Sequence, residues 1–426
     1  MTLTILFGLF LLLMILEVPV AFALILSSFS ALIFGAGMPL EIVVQRMASG
    51  LDSFPLLAIP LFILAGNLLN SAGIANRIFN FAGALVGHLR GGLAQVNVLA
   101  SMIFAGMSGV AQADAAGLGT IEIKHMKERG YDASFSAAVT ASSAIIGPII
   151  PPSVIMVIYA VTAQVSLTDM FLSGIVPGVI MGLALMITIY VMARTGKVLA
   201  PTESKRSAIE IWRTFKAAAP ALLAPILLTW GMLAGVATPT ELGALVVTYA
   251  VALGFMTGDL TLSTLVKALR ESAVTTGVLA VIIAAAIPFG WIISINDVPG
   301  AIVQFMTGIT DNKWVLLLVI NIVLLIIGMF METTAVILIA TPALLPVIAV
   351  YGIDPVHFGL VMIINLLIGA LTPPFGIILF ICMHIARVTF GAMVRAVLPF
   401  YVPLLIVLLL VTFVPKLALG LPGLFR

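Results

Sequence analysis

The sequence predicts an all-α, polytopic membrane protein folded as an inverted repeat. Three observations predict it: 62% of the 426 residues are hydrophobic, only 8% are charged, and four Gly or Pro landmarks recur at one fixed spacing. A water-soluble domain is roughly 45–50% apolar and about 25% charged. One span takes about 20 apolar residues, so the length accommodates on the order of ten to fourteen crossing or re-entrant segments.

Helices follow from runs such as Val315 to Ile327, apolar at every position except Asn321. A membrane barrel instead requires segments of roughly ten residues in which apolar and polar side chains alternate. Met1 to Leu16 is largely apolar, with no basic flank and no small-residue cleavage site, and predicts a retained helix and not a cleaved signal. The net charge of +2 is scattered, without the basic stripe and interleaved aromatics that nucleic acid calls for. A single cysteine, Cys382, excludes an internal disulfide and reads as a small buried hydrophobe.

The chain divides at its one extended polar stretch. Between Arg194 and Lys216, Arg194, Lys197, Lys205, Arg206, Arg213 and Lys216 face only Glu203 and Glu210, and such basic excess marks a cytoplasmic loop. The expected organisation is therefore a first repeat over 1–193, a cytoplasmic linker over 194–216 and a second repeat over 217–426. Gly106-Met107 recurs as Gly328-Met329, Gly130 and Asp132 as Gly352 and Asp354, Gly147 with Pro151-Pro152 as Gly369 with Pro373-Pro374, and Pro177 as Pro399. Every pair is 222 positions apart. Four ungapped matches at one offset point to an internal duplication.

Charge orients the copies. Lys124, Lys127 and Arg129 precede the first Pro-Pro, whereas their counterpart, Pro346 to Tyr351, is uncharged. After the Pro-Pro the bias reverses, with Arg387 and Arg395 in the second copy and only Asp169 at the matching place in the first. The positive-inside rule then sets the copies upside down to each other. Inverted repeats characterise secondary transporters, whose substrate and ion sites lie where the copies meet.

Each copy carries two predicted interruptions. In Gly106 to Gly119, small and polar residues break an apolar run; the counterpart, Gly328 to Thr334, places Glu332, Thr333 and Thr334 between apolar runs. Both read as tips of re-entrant hairpins, because irregular backbone at membrane depth persists only against protein or a wet cavity. The second interruption is Gly147 to Ser153, matched by Gly369 to Phe375. Paired prolines remove two amide donors and push the preceding residue out of the helical region, so a half-helix ends and another begins. Freed carbonyls suit a hard cation such as sodium, and the new N-terminus suits an anion.

Among intramembrane acids, Glu332 is the leading functional candidate, since its repeat partner is Val110 and a purely architectural carboxylate should occur twice. Asp114, Glu241 and Glu17 compete with hairpin-bonding and helix-end readings. The four histidines are too dispersed for a metal cluster, and Gly106-Met107-Ser108-Gly109 lacks the full nucleophile-elbow pattern, so an enzyme is not expected.

Ser53 to Phe62 with Ala65-Gly66, Arg90 to Ala94, Ser108-Gly109 through Ala113-Asp114, and Ile146 to Ser153 together resemble the large membrane subunit of TRAP (tripartite ATP-independent periplasmic) transporters, over essentially the whole chain. Relatives often have Ser-Gly-Ser in the first hairpin; here Val110 follows Ser108-Gly109, so a hydroxyl ligand at 110 is absent. The resemblance implies an elevator-type transporter in a bacterial inner membrane, importing C4-dicarboxylates, sialic acid or other sugar acids on a sodium gradient. It implies two protein partners, a small four-helix membrane subunit and a periplasmic substrate-binding protein. It also implies sodium ligation at Ser108, Gly147, Ile150, Gly328, Thr333, Gly369 and Thr372, with substrate contacts at Ser108, Ser153 and Glu332. Two such oxygen shells imply two or more Na+ per cycle.

The rival reading is a passive channel or a structural membrane subunit. A channel needs regularly spaced polar residues along a helix face, which no segment offers, and a scaffold has no use for two interrupted sites.

Overall fold

Apolar runs punctuated by Gly, Pro and capping residues set the helix boundaries. The computed structural model describes residues 1–71, 74–199, 201–202 and 204–425, the side chains of residues 71 and 108 excepted, and every regular element among them is helical. Among the described residues seven helices are long and apolar enough to cross a membrane, or up to eight if the pair Glu41–Leu51 and Phe54–Asn70, bent by 64°, forms one span. Ile187, Ile226, Trp230 and Val402 on these spans are more than half exposed. An outer surface of that chemistry suits hydrocarbon, where a soluble protein would place charge.

Helix starts are written into the sequence. Ser207 with Glu210 and Thr238 with Glu241 form capping boxes at the heads of Ala208–Leu233 and Pro239–Met256, each satisfying amide donors that the first turn leaves open. Glu241 is thus a helix-end carboxylate, and the end of the polar stretch, from Ala208 to Lys216, is helical.

The elements of the two halves fall in the same order. Leu93–Ser108, Ala111–Ala116 with Leu118–Glu128, Ala133–Ala144, Val154–Ala163 and Leu167–Arg194 are followed by Lys313–Phe330, Thr333–Val350, Pro355–Ala370, Ile377–Ala386 and Phe390–Phe413. Details recur too. Gly130 and Gly352 both adopt positive φ, and Asp132 and Asp354 both cap the next helix, accepting from Phe135 N and from Val356 N and His357 N. Ser143 bonds Asn97 at 2.8 Å and Ser101 at 3.0 Å, while Asn365, at the matching position, bonds Asn321 at 2.8 Å.

The halves also exchange their short helices. Val154–Ala163 packs on Thr333–Val350 and Pro355–Ala370, and Ile377–Ala386 packs on Ala111–Ala116, Leu118–Glu128 and Ala133–Ala144. Tyr159 Oη donates to Pro355 O at 2.6 Å, and Lys127 Nζ donates to Ala386 O, a helix-terminal carbonyl, at 3.0 Å. A second assembly of Glu41–Leu51, Ala58–Ser71, Ala208–Leu233, Pro239–Met256 and Leu262–Ile295 packs around this core. Within this assembly Asn67 Nδ2 donates to Ser272 Oγ at 2.9 Å, and Arg77, on the adjoining helix Ile74–Val86, pairs with Asp259 in the loop after Pro239–Met256.

Candidate functional site

Each half brings a helix break against a proline junction. In the first, Leu93–Ser108 ends at Gly109, whose φ of 63° is left-handed, and Val110 is extended before Ala111–Ala116 begins. The positive φ calls for glycine, and so does the room: a Cβ at Gly109 would sit 2.5 Å from Pro152 O. Gly109 O accepts from Val154 N at 3.3 Å, joining the break to the helix that follows Pro151-Pro152. Asp114, buried in Ala111–Ala116, presses its carboxylate on Gly147 so closely that a Cβ there would collide with it. The reading of Asp114 as a residue working within its own hairpin thus extends to the neighbouring junction.

In the second half, Lys313–Phe330 ends at extended Met331, and Glu332 begins Thr333–Val350. Gly328 and Gly369 touch backbone to backbone, and the Phe330 and Phe375 rings lie 6.0 Å apart across the same contact.

The junctions themselves are rich in oxygen. Residues 145–153 and 371–376 lie between helices, and each contains a cis Pro-Pro bond, at 151–152 and 373–374. Proline contributes a carbonyl and no N–H, so Pro148, Pro151 and Pro152 in one and Pro373 and Pro374 in the other leave acceptors in excess of donors. Neutral backbone oxygens with an adjacent hydroxyl are ligands suited to a hard cation.

The expected site residues fall as follows. Ser153 is fully buried and caps Val154–Ala163, its hydroxyl donating to Pro148 O at 2.5 Å and accepting from Met156 N at 3.2 Å. Glu332 is half-buried and caps its own helix, accepting from Thr334 Oγ1 at 2.8 Å and Ala335 N at 3.2 Å. Thr333 is buried in the first turn beside it. Thr372 Oγ1 donates to Ile368 O at 2.6 Å, leaving its lone pairs to accept or ligate. Ile150 N closes a turn on Ile146 O at 3.2 Å. Ser108 ends its helix, and its side chain lies outside the described residues. Gly328 and Gly369 come into direct contact; Ser153 and Glu332 each head one of two helices that pack on each other.

One residue the sequence reading passed over is Glu122, in Leu118–Glu128. It is buried, neither of its carboxylate oxygens has a hydrogen-bond partner among the described residues, and it lies within electrostatic reach of Asp114 and Cys382. Its signal was available: a carboxylate where the other half has Leu344.

Residues 7–417 match the family described as tripartite ATP-independent periplasmic transporter, DctM component. The chain belongs to this family. The DctM-family chain is 43% identical over 409 residues to the sialic acid TRAP transporter large permease protein SiaM of Vibrio cholerae, covering 96% of this chain and 95% of that one. It is 40% identical over 374 residues to the C4-dicarboxylate TRAP transporter large permease protein DctM of Pseudomonas aeruginosa, covering 87% of each. The family is one of transport permeases and not of enzymes. The solved structure of the YdaH transporter of Alcanivorax borkumensis has a similar fold, with a TM-score of 0.65 at 14% identity, covering 89% of this chain and 88% of that one. This DctM-family permease is thus an all-α, multi-pass membrane protein of a bacterial TRAP transporter.

Proposed function

We propose that this permease is the translocating subunit of a sodium-coupled importer of a small organic acid in the bacterial inner membrane, working by an elevator mechanism. The observation that carries the reading is that each half brings a helix break up to a proline junction: Gly109 O meets Val154 N in one, and in the other Phe330 meets Phe375, with Gly328 and Gly369 in contact in the helix turns just before them. A break that merely accommodated a kink would have no reason to meet an oxygen-rich junction in both halves. Relatives that carry sialic acid and C4-dicarboxylates support a carboxylate substrate by their names.

In this reading 1–193 and 217–426 are inverted repeats joined by a cytoplasmic linker at 194–216, and the breaks are tips of re-entrant hairpins. Sodium takes oxygens at Ser108, Gly147 and Ile150 in one half and at Gly328, Thr333, Gly369 and Thr372 in the other, so at least two Na+ bind per cycle. Substrate sits near Ser108, Ser153 and Glu332, where the amide end of Val154–Ala163, capped by the neutral hydroxyl of Ser153, attracts a carboxylate. The interlocked short helices move together as one unit, and the assembly packed around them is the frame. A small four-helix membrane subunit supports that frame, and a periplasmic binding protein delivers the substrate.

Reconstitution tests this. A thermal-shift screen of the cognate binding protein against sialic acid, C4-dicarboxylates and other sugar acids identifies the substrate. Liposomes holding both membrane subunits, with the loaded binding protein outside, should accumulate it, and liposomes holding this chain alone should not. Robust concentrative uptake by the lone chain would overturn the tripartite reading.

A further inference from the structure

The cleft between the proposed frame and the moving unit holds a charged group that the reading above does not use. Arg46, in Glu41–Leu51, lays its guanidinium over the Trp291 ring, 4.2 Å from the centroid. With Thr162, Gln164, Ser294 and Pro342 it lines a cleft of about 360 Å³. That size falls within the roughly 300–1,000 Å³ of small-molecule sites.

Two features make Arg46 more than a basic side chain at a membrane surface. The cation–π contact with Trp291 restrains the guanidinium, whose fork of N–H donors can give a carboxylate two parallel hydrogen bonds. Among the described residues no carboxylate pairs with Arg46. The position is the second feature. Both mobile walls of the cleft are continuations of helices that begin at candidate substrate residues: Val154–Ala163 is capped by Ser153 and Thr333–Val350 by Glu332. Thr162 and Gln164 follow Ser153, and Leu338 and Pro342 follow Glu332, by six to eleven residues. At about 1.5 Å per residue the cleft lies roughly 9–17 Å from either head, one to three turns away.

We propose that Arg46, steadied by Trp291, is a carboxylate-binding station on the path between the candidate substrate site and the surface, taking a small organic anion by a two-pronged contact. Its place on a transport path rests on the organic-acid reading above; binding of a carboxylate at Arg46 does not.

The test reads binding without transport. The full chain carrying Trp212→Phe, Trp230→Phe and Trp314→Phe keeps Trp291 as its sole indole. Titration in detergent with succinate and with N-acetylneuraminate, without sodium, should change Trp291 emission saturably. Uncharged succinamide and matched choline chloride should not. Arg46→Gln should abolish the response, and Arg46→Lys, which keeps the charge but loses the fork, should weaken it at least tenfold. The Lys variant decides the matter if the Gln variant does not fold. No saturable response in the parent, an equal response to succinamide or chloride, or an unchanged titration in either Arg46 variant would overturn the proposal.

Discussion

Gly328 and Gly369 come so close that a Cβ on Gly369 would lie 2.8 Å from both Cα and C of Gly328. Backbone cannot retreat as a flexible side chain can. Gly369→Ala should therefore push the second helix break off its proline junction and lower stability by about 1–3 kcal/mol, the usual cost of overpacking. Thermal unfolding of the purified chain measures this, and unchanged stability would refute the close contact.

Tyr159 ties the halves together through Pro355 O, and its ring packs against Gly359. Tyr159→Phe keeps that packing and removes the hydroxyl, and with it a part-buried bond that spans 196 positions of the chain. A loss of about 1–3 kcal/mol is expected. Equal melting temperatures for the two proteins would show the bond to be immaterial.

Glu122 should behave in the opposite sense. Its carboxylate is buried without a hydrogen-bond partner among the described residues, and the matching residue in the other half is Leu344. Glu122→Leu removes an unmet polar group at similar volume and should raise stability by about 1–3 kcal/mol. A fall in melting temperature would instead assign Glu122 a partner or ligand.

Inverted topology predicts opposite accessibility at corresponding helix ends. Lys124 (71% exposed) and Val350 (61% exposed) lie near the C-terminal ends of Leu118–Glu128 and Thr333–Val350. Cysteines placed there should react with impermeant reagents from opposite sides of the membrane, with little background from buried Cys382. Labelling from one side would end the inverted-repeat proposal.

Much of the fold was legible because membrane solvent leaves few choices. Once Val315 to Ile327 is apolar at every position but Asn321, the backbone must satisfy itself as helix, and Gly109, Asp132, Asp354 and the two Pro-Pro pairs mark where helices stop and start. Those marks depend on local φ, missing N–H groups and caps, which sequence displays. What sequence did not display is which elements meet. Nothing near Tyr159 announces Pro355, and nothing in Arg46 announces Trp291, because both contacts join residues from different halves. Side-chain roles were hidden similarly: Ser153 and Glu332 were legible as polar groups at helix breaks, but the helix amides that their oxygens cap became visible only in the structure.

The most direct measurement is uptake by the complete transporter under an imposed sodium gradient, with sodium replaced stepwise by choline at several proton gradients. Two oxygen shells predict a sigmoidal sodium dependence and no concentrative uptake in choline. Thr372→Val, which removes one neutral oxygen and leaves assembly intact, should raise the half-activating sodium concentration roughly ten- to a hundredfold, as expected for a lost contact of about 1–3 kcal/mol. Uptake that is unchanged in choline at every proton gradient would contradict the account at its centre.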